Sequence, residues 1–335
     1  RRVLFRSALL EQDLMPRVLS GSSAGAIMTG MLGVSSADKI PELLEGEHFF
    51  SDAFQFRKIS ELIRGHGGIA DVMYLKKFLM QNLGDVTFAE AYQQSKRHIN
   101  IVIAPYNTAQ NPRIMNALTA PNVLVWSAIL ASCAVPVLFP PVHLTSKRYD
   151  GQHTPYLANT KWVDGSMRSD FPQEKMARLY NINYTIASQV NPHIVPFMQS
   201  DTERFRRDVL NWPKRIIRHQ GKSLALEVMD LTRNYMGSFF PIRRVLDHGY
   251  GILGQRYYGD VNIIARYGLR HYSYMLKNPR PKLFKVLQQE GERATWPKIS
   301  SIEIHARIGK TIEHCLTSLR KQQEKQQNEF YYVDL

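Results

Sequence analysis

The first clear pattern along the chain is a short β-prone run followed by small residues. Residues 17–20 read Arg-Val-Leu-Ser, and Gly21-Ser22-Ser23-Ala24-Gly25 follows directly. Residues 26–32 are apolar or small and contain no proline. This order predicts a strand, a tight turn and then a helix built largely from small residues.

Apolar runs elsewhere predict further elements. The other predicted strands cover residues 99–104, 161–163 and 184–190. Helices are predicted through most of residues 38–98, with stops at 65–68 and 84–85, and again at 123–134. Residues 135–141 must be irregular, because three prolines exclude a helix. Strands that alternate with helices over residues 1–195 predict an α/β fold with a largely parallel sheet.

The character of the chain changes after Pro196. Residues 201–236 are basic and amphipathic with helical spacing, residues 237–300 show little periodicity, and residues 311–325 predict a final helix. We therefore expect residues 1–200 to form the α/β domain. Residues 201–335 are expected to form a mainly helical, basic extension that packs on this domain.

Composition narrows the class of protein. The 335 residues are 44% hydrophobic and 21% charged, which excludes a wholly disordered chain and allows a large core. Two cysteines, Cys133 and Cys315, are too few for a disulfide framework and favour a reducing, cytoplasmic compartment. No apolar run is long enough to predict a membrane-spanning helix. The formal net charge of +14 indicates an anionic partner, either a lipid surface or a nucleic acid.

The segment that begins at Gly21 has the G-x-S-x-G spacing of a nucleophile elbow. A serine at a sharp strand-to-helix turn has a strained backbone and an exposed Oγ, and the flanking glycines let the turn close. The backbone N–H of Ala24 would then help to stabilise an oxyanion. Ser23 is the candidate nucleophile, although so short a motif also occurs by chance and a serine that caps a helix fits the same letters.

A serine nucleophile needs a base, and the residues alone leave two arrangements open. A triad would add a carboxylate and then a histidine, but no histidine in the second half of the chain stands in a distinctive setting. A dyad would use a carboxylate directly. Asp164 is the candidate, because it follows a predicted strand and precedes Gly165, although Asp-Gly is also an ordinary turn sequence.

Several ordered segments resemble the patatin-like phospholipases and lipases. Besides the elbow, residues 131–141 (Ala-Ser-Cys-Ala-Val-Pro-Val-Leu-Phe-Pro-Pro) are similar to the family's A-S-x-A-x-P-x-x-F-P-P segment. Val163-Asp164-Gly165-Ser166 corresponds to its D-G-G/A motif. Residues 188–193, 255–260 and 294–297 resemble the subgroup of yeast-type triacylglycerol lipases and their bacterial relatives.

The resemblance implies a three-layer fold with helices on both faces of a central sheet. It also implies a Ser–Asp dyad in which Ser23 is the nucleophile and Asp164 the general base, with no catalytic histidine, metal or cofactor. The motif residues that accompany this pair are Gly21, Ser22, Ala24, Gly25, Gly165 and Ser166. The implied reaction is hydrolysis of the acyl esters of glycerolipids, either phospholipid or triacylglycerol.

The N-terminal part of the chain departs from the family pattern. Members of the family carry a glycine-rich oxyanion loop a few tens of residues before the serine, whereas the first glycine here is Gly21. We therefore expect an N-terminally truncated catalytic region. Its hydrolase activity should be impaired, since loss of one oxyanion donor costs about 10²–10³ in kcat.

Residues 204–222 form a basic segment, with Arg and Lys side chains opposed by Asp208 alone. Phe205 and Trp212 are interleaved with these charges, which suits the surface of an anionic membrane or a lipid droplet. Pro213 interrupts the segment, so one continuous amphipathic helix is not expected. The alternative is a helix packed on the domain with a solvated basic face.

Other functions rest on weaker signals. The missing loop also fits a non-catalytic module with a degenerate site that binds a lipid surface or a protein partner. His66 and Asp71 have the H-x4-D spacing of acyltransferases, which makes lysophospholipid acyl transfer a further alternative. Nucleic-acid binding rests on charge alone and is not expected, because no binding motif accompanies the charge. No H-E-x-x-H or C-x-x-C pattern predicts a zinc site.

Overall fold

The computed structural model describes residues 6–41, 71–107, 110–136, 138–166, 172–189, 259–264 and 281–333. In this part of the chain the helices are α1 (Arg6–Glu11), α2 (Ala24–Val34), α3 (Val72–Leu83), α4 (Phe88–Ser95), α5 (Val125–Ser132), α6 (Gln173–Tyr180), α7 (Pro281–Thr295) and α8 (Ile299–Val333). The strands are β1 (Val18–Gly21), β2 (His98–Pro105), β3 (Arg113–Met115), β4 (Leu144–Lys147), β5 (His153–Tyr156), β6 (Trp162–Asp164), β7 (Ile186–Gln189) and β8 (Val261–Ile264). The basic segment 204–222 and His66 lie outside the described residues.

The main sheet is built around β2. Ile101 pairs with Gly21 of β1 and with Met115 of β3, so β1 and β3 lie on opposite edges of β2. Ile103 pairs with Arg113 of β3 and with Asp164 of β6, so β6 lies opposite β3. Strands β1 and β6 therefore share one edge of β2. Since β1 runs parallel to β2 and β6 runs antiparallel, their carboxyl ends point towards each other.

The predicted α/β class is confirmed, but the pairing in this sheet is more mixed than expected. Among the described strands, β1 is parallel to β2, whereas β3 and β6 are antiparallel to it. The loop between β2 and β3 is short, and a parallel neighbour needs a crossover of a dozen or more residues. Strand β3 therefore returns antiparallel. Strands β4 and β5 form an antiparallel hairpin, and β7 pairs with β8 in parallel.

Both faces of the sheet carry helices. Successive residues of a strand point to opposite faces. Ile99, Ile101 and Ile103 join the main apolar cluster together with residues of α2, α3 and α5. Asn100 points the other way, and its Oδ1 accepts a hydrogen bond from the Tyr180 hydroxyl at the end of α6 (2.9 Å).

Helix α2 lies very close to its neighbours because of its glycines. A Cβ at Gly30 would lie 2.3 Å from Cδ1 of Ile129 in α5, and a Cβ at Gly33 would lie 2.2 Å from Cγ1 of Ile99 in β2. Helix α5 is buried along its whole length. The helix that begins next to Ser23 is thus fixed by close contact on two sides.

Two smaller apolar clusters join the beginning of the chain to its last helices. One cluster contains Leu19, Met28, Leu32, Ile40, Phe284 and Leu287. The other contains Ala8, Leu9, Leu14, Val261, Ile263, Ile299 and Ile302. Helix α8 includes the predicted helix 311–325 but begins twelve residues earlier. None of the helices in the described part of the chain combines the length and the hydropathy needed to cross a membrane.

Candidate active site

Ser23 lies between the last residue of β1 and the first residue of α2. Its φ is 50° and its ψ is −125°. An L-residue rarely adopts this conformation, which costs on the order of 1–3 kcal/mol and persists only where surrounding contacts enforce it. A partly buried serine is therefore held in a strained backbone at the N-terminus of a helix.

The glycines of the motif permit this turn. A Cβ at Gly21 would lie 2.2 Å from the carbonyl oxygen of Gly25 and 2.7 Å from Oγ1 of Thr29. Any larger residue at position 21 would push the strand away from the helix. Ser22 is buried, whereas Ala24 is exposed and begins α2. The N–H of Ala24 is among the first of α2, which have no acceptor within the helix.

Both peptide groups of Ser23 are bound by side chains that follow one another at the end of α5. The Ser23 N–H donates to Oγ of Ser132 (3.1 Å), and the Ser132 hydroxyl donates in turn to the Val102 carbonyl of β2 (2.7 Å). The Cys133 thiol donates to the Ser23 carbonyl (3.5 Å). These contacts hold the strained residue from both sides.

Asp164 is the last residue of β6 and is buried, with 1% of its surface exposed. Its Oδ1 accepts a hydrogen bond from the Ser166 N–H (2.8 Å), and its own N–H donates to the Ala134 carbonyl (3.1 Å). A Cβ at Gly165 would lie 2.7 Å from the Val102 carbonyl carbon. Glycine therefore lets the chain turn tightly against β2, and the Ser166 N–H holds the carboxylate.

The structure brings the elbow and Asp164 to one place. Gly21 and Asp164 pair with positions of β2 that are two residues apart, about 7 Å along the strand. Residues 132–134, which we call the tie segment, bind both sides of the site. Ser132 and Cys133 bind Ser23, and Ala134 binds the Asp164 backbone.

The Cys133 thiol itself is unreactive in this setting. Burial raises its pKa well above the usual range, and the nearby negative charge of Asp164 raises it further. The thiol thus stays protonated and can act as a donor to the Ser23 carbonyl. Cys133 is buried, with 5% of its surface exposed, as is usual for an unreactive cysteine.

The sequence did not single out Ser132 as part of the site. It stood only as one letter in the small-residue segment at 131–141, and its contacts are with residues far away in sequence. Of the acyltransferase pair, Asp71 caps helix α3, where its Oδ1 accepts from the Met73 N–H (2.9 Å). The described residues contain no group of His, Cys, Asp and Glu side chains placed to bind a metal ion.

A cavity of about 570 Å³ adjoins the other edge of β1. All the residues of β1 and all those of β7 line it, together with apolar side chains such as Leu9, Met176 and Ile302. Because neighbouring residues of a strand point to opposite faces, the cavity must run along the edges of these two strands. Its lining includes Gly21, which lies two residues before Ser23.

Three similar proteins are triacylglycerol lipases by name. Triacylglycerol lipase 4 of Saccharomyces cerevisiae is 33% identical, over 89% of this chain and 35% of its own length. Triacylglycerol lipase ptl3 of Schizosaccharomyces pombe is 31% identical, over 94% of this chain and 66% of its own length. Triacylglycerol lipase SDP1L of Arabidopsis thaliana is 28% identical, over 93% of this chain and 40% of its own length. The chain thus spans between about a third and two thirds of the length of these relatives.

Among solved structures, VipD from Legionella pneumophila matches over 90% of this chain and 64% of its own length, with 13% identity and a TM-score of 0.43. A likeness this distant carries no weight for function. The family model "Patatin-like phospholipase" matches residues 3–176, just over half of the chain, and includes both the elbow and Asp164. The chain therefore belongs to the patatin-like phospholipase family.

Proposed function

We propose that this chain carries the active site of a serine hydrolase that cleaves acyl esters of glycerolipids, either phospholipid or triacylglycerol. The observation that carries the proposal is the strained conformation of Ser23 at a helix N-terminus, on the same sheet edge as the buried Asp164. The names of the similar proteins support a glycerolipid substrate. Family membership supports acyl ester hydrolysis.

In the proposed mechanism, Asp164 accepts the hydroxyl proton of Ser23 while Oγ attacks the ester carbonyl carbon. The oxyanion that forms is stabilised by the Ala24 N–H. The carbonyl reforms, the alcohol leaves with the proton held by Asp164, and Ser23 is acylated. Asp164 then takes a proton from water, whose oxygen attacks the acyl-enzyme. As the bond between the acyl group and Oγ breaks, Asp164 returns that proton to Oγ of Ser23 and the fatty acid leaves.

The nucleophile is tested with a fluorophosphonate probe on the full-length protein, with the labelled peptide identified by mass spectrometry. We expect the probe on Ser23 and no labelling of Ser23→Ala. Ser20→Ala is the matched control, because Ser20 is an exposed serine three residues away on β1 and should label normally. Labelling that persists in Ser23→Ala would contradict the assignment.

The base is tested by Asp164→Asn in the same preparation. An amide oxygen can still accept from the Ser166 N–H, so the fold and the melting temperature should change little. Turnover of a soluble ester should fall by about 10²–10⁴, because the amide cannot accept the serine proton. Turnover close to that of the parent protein would show that another group is the base.

We also propose that the protein works as a peripheral protein at an anionic membrane or lipid-droplet surface in the cytoplasm. The net charge of +14, the basic segment 204–222 and the glycerolipid substrate support this proposal. In liposome flotation, binding should increase with the fraction of anionic lipid and fall as salt rises. Binding that depends on neither the anionic lipid fraction nor the salt concentration would contradict an electrostatic attraction to the surface.

A further inference from the structure

The Ser132 hydroxyl fills a particular gap in the main sheet. Val102 lies on β2 between the position that pairs with the end of β1 and the position that pairs with the end of β6. The hydroxyl donates to the Val102 carbonyl (2.7 Å), where the two neighbouring strands have ended. Ser132 is completely buried at the end of α5.

The directions of the two hydrogen bonds are fixed. A backbone carbonyl can only accept, so the single hydroxyl proton of Ser132 points to Val102. A backbone N–H can only donate, so the Ser23 N–H uses a lone pair of the same oxygen (3.1 Å). The hydroxyl therefore links the backbone of the central strand to the backbone of the residue with the strained φ of 50°.

We propose that Ser132 is a positioning residue for the reaction of Ser23. This inference rests on the proposed hydrolase function. Ser132 acts through the backbone: by holding the Ser23 N–H against β2, it keeps the strained turn in place and Oγ pointed for attack. It does not touch the substrate, because it is completely buried beneath the elbow.

The consequence is a specific kinetic defect. Without the hydroxyl, the Ser23 N–H loses its acceptor and the turn can relax from a conformation that L-residues rarely adopt. A displacement of a reacting group by about 1 Å costs about 10²-fold in rate. We expect Ser132→Ala to lower kcat by about 10- to 100-fold and to leave KM within about threefold, since the substrate contacts remain.

Helix α5 provides a matched control. Ser127 is also completely buried in this helix, and its Oγ accepts from the Thr145 N–H (2.7 Å), away from Ser23. Ser127→Ala removes a buried hydroxyl acceptor from the same helix and should lower the melting temperature to a similar extent as Ser132→Ala. Its kcat should stay within about threefold of the parent value.

The experiment measures kcat and KM for a soluble p-nitrophenyl ester, the rate of fluorophosphonate labelling at Ser23, and the melting temperature, all on the full-length protein. Ser132→Thr retains the hydroxyl and should recover most of the lost kcat. If Ser132→Ala does not fold, Ser132→Cys replaces it, because a thiol of similar size is a weak hydrogen-bonding group and should lower kcat in the same way. Hydrogen exchange of the peptide that contains Ser23 should quicken in Ser132→Ala and not in Ser127→Ala.

Two failures can be told apart. If the probe labels Ser23 but Ser132→Ala and Ser127→Ala have equal kcat, the positioning role is wrong and the proposed function stands. A change in KM alone would also overturn the positioning role. If the probe does not label Ser23 in the parent protein, the proposed function fails and this inference fails with it.

Discussion

At the residue scale, the site depends on donors and acceptors that the chain supplies from a distance. Ser23 and Ser132 are 109 positions apart in sequence. The Ser132 hydroxyl nevertheless accepts from the Ser23 N–H, and the Cys133 thiol donates to the Ser23 carbonyl. The thiol is suited to this use because burial and Asp164 keep its pKa high. A group that cannot ionise near neutral pH adds no competing charge beside the carboxylate that we propose as the base.

His98 is a second residue whose pKa is changed by its surroundings. Its ring stacks on Tyr92 (centroids 4.4 Å apart) and lies against Tyr180 (4.8 Å). Its buried Nδ1 has no hydrogen-bond partner among the described residues. Burial lowers the pKa of His98 below its usual value of 6.5.

We predict from this pKa that acid destabilises the fold partly through His98. His98 binds a proton more readily in the unfolded chain than in the folded chain. The contribution of neutral His98 to stability is therefore fully present above about pH 6.5 and is lost as the pH falls below that value. His98→Phe keeps a ring between the tyrosines and does not titrate. Its melting temperature should fall less than that of the parent protein between pH 7 and pH 5, as measured by differential scanning fluorimetry. Parallel curves for the two proteins would refute the prediction.

At the scale of elements, the glycines of α2 and α8 predict opposite effects of the same substitution. Gly309 in α8 is exposed, and no atom lies within 4 Å of a Cβ placed there. Gly309→Ala should therefore raise the free energy of unfolding by up to about 1 kcal/mol through helix propensity. Gly33→Ala gains the same propensity but forces its Cβ against Ile99, so it should lower the free energy of unfolding by about 1–3 kcal/mol.

Chemical denaturation of the two variants and the parent protein measures both changes. Both variants replace glycine by alanine within a helix. The difference between their free energies of unfolding therefore reports the contact of α2 with β2. A stabilised Gly33→Ala would mean that Ile99 moves aside freely and that α2 is less tightly packed than its glycines indicate.

The elements that sequence reasoning predicted are those defined by local signals. Gly21 and Gly25 mark the β1–α2 turn, Gly84 ends α3 with a φ of 65°, and the apolar run before Pro105 gives β2. Strands β3 and β8, with three and four residues, were not predicted. Helix α7 was missed, although Phe284 and Leu287 have helical spacing, because glycine, proline and arginine surround it in sequence.

The candidate site was predictable in part for the same reason. Ser23 and Asp164 each come after a strand predicted from the sequence and precede a glycine or small residue, so local sequence marks both. The meeting of β1 and β6 on one edge of β2 depends on strand pairing between distant residues, which no local pattern encodes. The same holds for the tie segment, whose hydrogen bonds depend on how α5 ends beneath the elbow.

At the scale of the whole molecule, the early and late parts of the chain are joined. Met28 and Leu32 of α2 are covered by Phe284 and Leu287 of α7, and Leu9 packs with Ile302 of α8. At the surface, Nζ of Lys310 binds the carboxylate (2.6 Å) and the carbonyl (2.7 Å) of Asp13. An exposed pair of this kind adds little stability, so the apolar clusters carry the connection. The expected division at residue 200 stays a prediction.

This connection sets the order of events during synthesis. Helix α2 leaves the ribosome roughly 250 residues before Phe284, which at about 5–20 residues per second is a delay of about 12–50 s. Throughout that delay the apolar face of Met28 and Leu32 has no partner from α7. The nascent chain therefore presents an exposed hydrophobic surface, next to the elbow, that a chaperone can hold until the last helices are made.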